Sequence, residues 1–383
     1  MKVVIAIDSF KGSVSSMEGS REIALGIKEV YPNADIVSFP IADGGEGTVE
    51  ALVNATGGQL QSVKVTGPLM EPAQATYGIT GNGKTAVIEV AAACGLPLVP
   101  EAFRNPMLTT TYGVGELIAH AMGQGCREFV IGLGGSATND AGVGMLQALG
   151  YRFKDQEGND VGPGGNALSM IRRIDSNHAC PELRQCEFKI ACDVNNPLYG
   201  PNGAAYVFAP QKGANPAMVE ELDRGLYLFA GVAERELGVN LQDIPGAGAA
   251  GGLGAAFAAF FKAEMQSGVG LVLDKIGLKE SMAGADFVIT GEGKLDGQTS
   301  MGKAPLGVAA LAQAQGIPVI ALAGGVTKEA SVLNDLGVTS FHSIITAPMS
   351  LEQAMDPIET GYHLRSTTKQ LFRLIQAVRA DGK

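Results

Sequence analysis

The sequence predicts an α/β protein: a doubly wound, mostly parallel sheet built discontinuously from both ends of the chain, with an inserted β-rich α/β second domain. Three observations lead there. Short continuous apolar runs alternate with helical spacing over residues 1–60. The same cadence returns over residues 285–383. Between them, period-two alternation with turn signals replaces it.

Val3–Ile7 is the first apolar run, as expected of a parallel strand covered on both faces. After the polar loop DSFKGS, Ile23, Ile27 and Val30 recur at helical spacing, and a second strand is expected around Ile36–Phe39. The loop ADGGEGT then opens a short helix that should stop at Gly57-Gly58. Near the other end, Phe287–Thr290 reads as a strand, Pro305–Gln315 as a helix, Val319–Ala323 as a strand, Lys328–Leu336 as a helix and Phe341–Ile345 as a strand. A closing amphipathic helix is expected around Ser366–Arg379. The pieces at the two ends supply one sheet, so residues 1–60 and 285–383 form the outer domain and 61–284 the insertion. Within the insertion, Gln61–Val90 reads as hairpins, turning at Gly67-Pro68 and Gly81-Asn82-Gly83. Thr111–Leu149 regains a βα cadence, and whether it joins the outer sheet stays open.

Composition narrows the function. The chain has 383 residues, 46% hydrophobic and 17% charged, and 28 Lys+Arg against 39 Asp+Glu give a net charge of -11. A negative field without a local basic patch argues against nucleic acid and anionic membranes as partners. Five cysteines, an odd number set mostly in apolar runs, read as reduced thiols in a cytoplasmic protein. Met1–Phe10 is too short an apolar stretch for a signal peptide. Ile244–Phe261 carries no charge but contains Pro245 and many glycines and alanines, so it reads as a helix packed closely inside the protein, anchored by Phe257, Phe260 and Phe261. The four histidines lie in unrelated contexts, and Cys180, Cys186 and Cys192 lack zinc-knuckle spacing.

Two motif matches need context. Gly78–Thr85 fits G-x4-G-K-[ST], but a phosphate loop needs a strand before it and a helix after it. Asn82-Gly83 followed by TAVIEV reads as a hairpin instead. Gly132–Ala137 fits G-x-G-x-x-A, with Asp155 further on in the position of a ribose-binding acid. That match leaves two readings: a nicotinamide site, or a phosphate or substrate loop using the amides of Gly134, Gly135 and Ser136.

Position along the strands is more informative. Ligands of open α/β sheets bind beyond the carboxyl ends of the strands. Those ends carry Asp8-Ser9-Phe10-Lys11, Asp43-Gly44-Gly45-Glu46, Gly134–Asp140, Gly291–Asp296 and Gly324-Gly325, and the insertion adds Cys192-Asp193. Acids, lysines and bare backbone at one structural level suit phosphoryl transfer. A helix N-terminus offers an anion about 2 kcal/mol at most, whereas enzymes lower barriers by roughly 8–23 kcal/mol. Fixed cations and a metal are therefore required.

These residues, taken with IDSFKGS at Ile7–Ser13, ADGGEGT at Ala42–Thr48, GLGGSATNDAG at Gly132–Gly142, ACDVNNPL at Ala191–Leu198, FAPQKGA at Phe208–Ala214, PGAGAAGGLGAA at Pro245–Ala256 and ITGEGKLDGQTSMGKAP at Ile289–Pro305, make the chain resemble the type-I bacterial glycerate kinase family. The likeness runs from Val3 to about Val378. Ile7 stands where the family commonly has proline, which alters turn stiffness and not chemistry. The resemblance implies a Rossmann-like domain with an inserted second domain and an active site in the cleft between them. It also implies ATP- and Mg2+-dependent phosphorylation of D-glycerate, on the 2-hydroxyl to give 2-phosphoglycerate.

On this basis Asp193, Lys11 and Asp43 are the expected catalytic residues, with Asp193 as the base. Asp8, Ser9, Gly134, Gly135, Ser136, Asp140, Glu292, Lys294 and Lys303 are expected to bind substrate and phosphate, and Glu46 and Asp296 to hold Mg2+. Partners are small molecules, and a homo-oligomer is left open. Two other readings stay in view: an NAD-dependent hydroxy-acid dehydrogenase and a non-catalytic sugar-acid binding protein.

Overall fold

Five apolar residues in succession, Val3 to Ile7, are all fully buried, as a strand flanked by strands and covered on both faces requires. They belong to β1 (Lys2–Ile7) of a computed structural model that describes residues 1–297, 299 and 303–381. Ser15 caps the next helix, Ser16–Lys28, in a reciprocal box with Glu18, and the chain returns as β2 (Asp35–Pro40). The chain divides into two compact units, Met1–Asp43 with Val269–Lys383, and Gly44–Gly268.

The second unit opens with helix Thr48–Thr56, ended by Gly57 in the left-handed conformation. This helix continues the cadence of the first strands, yet it packs on the sheet that follows. That sheet starts as a meander: β3 (Gln59–Thr66), β4 (Pro72–Ile79) and β5 (Thr85–Glu89) pair antiparallel in succession. Helix Tyr112–Gly123 then leads to β6 (Glu128–Gly132), which lies parallel to β5 in this sheet. Helix Val143–Ala148 follows, and β7 (Arg152–Lys154) and β8 (Arg173–Asp175) form a separate ribbon. Next come β9 (Glu187–Ala191), helix Pro216–Leu237, helix Ala249–Phe261 and β10 (Glu264–Gln266), giving the order β10-β9-β6-β5-β4-β3. Tyr77, Phe129, Phe153, Phe229 and Phe257 are fully buried in its core.

Of the uncharged stretch Ile244–Phe261, Ala249–Phe261 forms a helix, buried through Phe257, but its first turn is broken. Ala250, Gly251 and Gly252 have left-handed φ angles, and a side chain on Gly251 would collide with the Thr138 carbonyl. Among the described residues no helix is long and apolar enough to cross a membrane.

The chain then completes the first unit with β11 (Phe287–Leu295), β12 (Val319–Val326) and β13 (Ser340–Ser343). All five strands of this sheet are parallel, in the order β13-β12-β11-β1-β2. β11 and β12 are longer than their apolar runs. The pairing continues through Lys294 with Gly325 and Leu295 with Val326, so Gly291–Lys294 and Gly324-Gly325 are strand and not loop. Glycine permits this: a side chain at Gly291 would strike the Leu322 carbonyl of the neighbouring strand. The closing helix starts earlier than expected, at Pro357, because Asp356 Oδ1 accepts from the amides of Ile358 and Glu359. It packs on helix Ser16–Lys28 over a core of Val3, Ile5, Ile7, Ile23, Leu364 and Phe372.

Candidate functional site

In the first unit the chain runs outward from β1 to β2 on one side, and from β11 to β12 and β13 on the other. The reversal falls between β1 and β11, where an open parallel sheet leaves a crevice. The Asp8 amide donates to the Gly291 carbonyl at 2.8 Å, which sets Asp8 beside the start of the Glu292–Lys294 stretch. Along β11, Glu292 and Lys294 fall on the same face because side chains alternate. A pocket of about 450 Å3 opens there, lined on its polar side by Asp8, Lys11, Glu292, Lys294, Asp296 and Lys303. Phe10, Ile344, Ile345, Leu351 and Met355 form its apolar wall.

Three lysines each meet an acid. Lys11 Nζ lies 3.0 Å from Asp43 Oδ2, Lys294 Nζ 3.4 Å from Asp296 Oδ2, and Lys303 Nζ 3.7 Å from Glu292 Oε2. Lys11 and Lys294 are more than half exposed, so these pairs add little stability, and a polyanion can compete for the ammonium groups. The acids are deeper. Asp8 is 2% exposed; burial first, and the Asp43 charge second, push its carboxyl up to about 7 against the opposing pull of the Ser9 amide, 2.6 Å away, and of Lys11. Burial also raises Glu292, which accepts from Thr299 Oγ1 at 2.7 Å. For Lys11, burial pulls downward, but Asp43 outweighs it and the ammonium is held above its ordinary value. The pocket therefore carries more acid than it can comfortably ionise.

This arrangement fits a cation that arrives with its own ligands. Among the described residues no three His, Cys, Asp or Glu side chains are grouped to hold a metal by themselves. Mg2+ is usually bound by one or two carboxylates together with phosphate oxygens and waters. Asp8, Asp43, Glu292 and Asp296 offer carboxylates of that kind.

The remaining expected residues, Glu46, Gly134, Gly135, Ser136, Asp140 and Asp193, are in the second unit. The loop 133–142 joins β6 to helix Val143–Ala148, with Gly134 and Gly135 exposed. Asp140 is fully buried; its carboxylate accepts from the Thr111 amide and hydroxyl and from the Gly142 and Gly144 amides, so it braces the loop from inside. Burial raises its pKa, against those four bonds. Asp193 is exposed and accepts from the Gly268 amide at 3.1 Å. Glu46 is exposed, and its charge, after burial, helps raise Glu89, a half-buried carboxylate at the end of β5 that accepts from the Val49 amide at 2.9 Å.

The two motif matches resolve on geometry. Gly78–Thr85 is the β4–β5 hairpin, with Asn82 Oδ1 accepting from the Lys84 and Thr85 amides. The loop 133–142 is too long for a tight dinucleotide turn. Asp155 sits in an exposed turn after β7, where its Oδ1 accepts from the Glu157 and Asn159 amides. Sequence reasoning missed Glu89, Thr299 and Lys212, a buried lysine of the FAPQKGA segment. Its only signal was a lone charge among small and apolar residues. Residues 298 and 300–302 of the segment ending at Pro305 lie outside the described residues.

Lysines, bare backbone and crowded carboxylates at the carboxyl edge of a parallel sheet are the equipment of an α/β phosphotransferase. Comparison with known proteins specifies which. A sequence model of the glycerate kinase family matches residues 3–376. A glycerate kinase of Bacillus subtilis (strain 168) is 48% identical over 356 residues, 93% of each chain. A glycerate 2-kinase of Escherichia coli (strain K12) is 48% identical over 354 residues, 92% of this chain and 93% of that protein. The crystal structure of a protein named glycerate kinase 2 from Salmonella typhimurium LT2 superposes with a TM-score of 0.90 at 45% identity, covering 99% of both chains. The chain belongs to the glycerate kinase family. It is an enzyme of the kinase class, which sets aside both the dehydrogenase and the non-catalytic binding protein.

Proposed function

We propose that this enzyme transfers the terminal phosphoryl group of ATP to D-glycerate, with Mg2+, at the 2-hydroxyl to give 2-phosphoglycerate. The pocket at the β1–β11 reversal carries the proposal: three lysines and several acids on one side, an apolar wall on the other. A three-carbon hydroxy acid has almost no apolar surface to offer such a wall, whereas a nucleoside with its phosphates has both faces. The names of the relatives support glycerate as the acceptor.

Roles follow from chemistry. Lys11, Lys294 and Lys303 neutralise phosphate oxygens, and Asp8, Ser9 and Glu292 line the floor against which these are positioned. Asp43, Asp296 and Glu46 are the carboxylates that would hold Mg2+, and the ion would offset the negative charge that develops in transfer. The amides of Gly134, Gly135 and Ser136 take a substrate anion, with Asp140 bracing their loop. Asp193 orients the attacking hydroxyl and accepts its proton. Positioning and charge neutralisation dominate because the transition state is loose. The first unit is read as Rossmann-like, and the reaction is placed in the cytoplasm, where unpaired thiols such as the five cysteines stay reduced.

Phosphorus NMR of a reaction containing ATP, Mg2+ and D-glycerate tests this directly. The expected product is a monoester on carbon 2. A monoester on carbon 3 would overturn the regiochemistry, and glycerate left unphosphorylated would overturn the whole reading.

A further inference from the structure

Lys212 is 3% exposed, far inside the second unit. Its Nζ donates to Ser136 Oγ at 2.9 Å and to the Thr138 carbonyl at 2.7 Å. An ammonium has three donors, and among the described residues the third has no acceptor and no carboxylate lies within ion-pair distance. Two titratable groups face it: Cys94, on the short helix Ala91–Cys94, and Asp140. Burial holds the Cys94 thiol neutral, pushing it up to about 12, and the Asp140 carboxylate is already engaged by Thr111, Gly142 and Gly144. Burying an ammonium with no carboxylate in direct contact is costly, and a neutral chain of similar length would fill the same space.

The groups that Lys212 holds belong to the loop carrying Gly134 and Gly135. The amides of Gly134, Gly135 and Ser136 donate to no acceptor among the described residues. Beside them the Asn139 side chain is fully buried with both polar atoms unpartnered. Free amides, a buried cation with no ion pair and an unpartnered carboxamide are together the chemistry of an anion site.

We infer that Lys212 is the buried cation of an anion seat at the Gly134–Ser136 turn, fixing the turn through Ser136 and Thr138 and supplying the positive charge that amides alone lack. The inference rests on the kinase reading, and it makes Lys212 a positioning residue. The anion is a carboxylate or phosphate oxygen, from glycerate or from the nucleotide. Because burial draws the Lys212 ammonium down to about 8, the seat should weaken as pH rises past that value.

The test is initial-rate kinetics on the full chain, varying D-glycerate and ATP separately between about pH 6.5 and about pH 9.5, for wild type, K212M and K212R. At neutral pH, K212M is expected to raise one KM about tenfold or more with little change in kcat. That same KM should climb above about pH 8 in wild type, not in K212M. K212R should recover the low KM without the pH break. The KM that moves identifies the source: D-glycerate for the carboxylate, ATP for the phosphate. K212M with wild-type KM values and pH profile would overturn the inference. If circular dichroism shows K212M unfolded, the wild-type profile decides, and a flat KM across that range overturns it. A wild type that phosphorylates no glycerate would instead remove the kinase reading beneath it.

Discussion

Asp8 gives the sharpest test of how the pocket is held. Its carboxyl is almost fully buried, and burial together with Asp43 raises its pKa from 3.8 to about 7. The folded protein therefore binds a proton there, between those two values, that the unfolded chain has released. Stability falls across that interval as pH rises and is flat above it. The displacement corresponds to about 4 kcal/mol once both states are ionised. Asn in place of Asp keeps an oxygen for the Ser9 amide and carries no charge. Asp8→Asn is thus expected to gain nothing near about pH 3.8 and up to ~4 kcal/mol above about pH 7. At roughly 2–4 °C per kcal/mol, that is a rise in Tm of up to about 16 °C for the transition of the unit holding Asp8. Urea and thermal unfolding at about pH 5 and about pH 8, side by side, measure it. A variant less stable than wild type at the higher pH, or a difference that does not change with pH, would refute the burial argument. Turnover of the same variant should fall, since the acid that destabilises the empty pocket is one of those assigned to its ligands.

Other expectations follow from the same geometry. Asp193→Asn should lower kcat about 10²–10⁴-fold while both substrates still bind, and near-normal turnover in a steady-state assay would remove it as the base. Lys294→Ala should raise the KM for ATP about tenfold yet change unfolding free energy by less than about 1 kcal/mol, since its ion pair is exposed. Asp140→Ala strands the amides of Thr111, Gly142 and Gly144 inside the protein, and denaturant unfolding should show a loss of about 3 kcal/mol or more. Gly251→Ala forces a methyl into the Thr138 carbonyl at a left-handed backbone position, and thermal unfolding should register a clear loss of stability.

The parallel strands were legible because each is a short apolar run buried on both faces, as Val3–Ile7 shows. The hairpins were legible from alternation and from Asn82-Gly83. Strand ends were not. Gly291–Lys294 and Gly324-Gly325 are rich in glycine and polar side chains, which read locally as loop, but pairing between neighbouring strands carries the ladder past them. Tertiary hydrogen bonding outweighed local propensity there. Of the residues that line the pocket, Asp8, Lys11, Glu292 and Lys294 were legible from their place after apolar runs. Asp140 illustrates the limit of that approach: it occupies a strand-end loop like the others, but only the fold reveals that Thr111 and two glycine amides surround it. Lys212 stood at no strand end, so no positional rule pointed to it.

The five-stranded parallel sheet pairs β1, from the first residues of the chain, with its central strand β11, from nearly three hundred residues later. A ribosome delivers those partners in that order. Until β11 emerges, one edge of β1 has no neighbour, and Val3–Ile7 presents an apolar ribbon of the kind that aggregates or recruits holdase chaperones. The intervening unit, Gly44–Gly268, is synthesised without interruption and can collapse on its own schedule. Nascent-chain folding is therefore expected to proceed from the inside of the sequence outward, with the pocket at the β1–β11 reversal finished only when the C-terminal strands have been released.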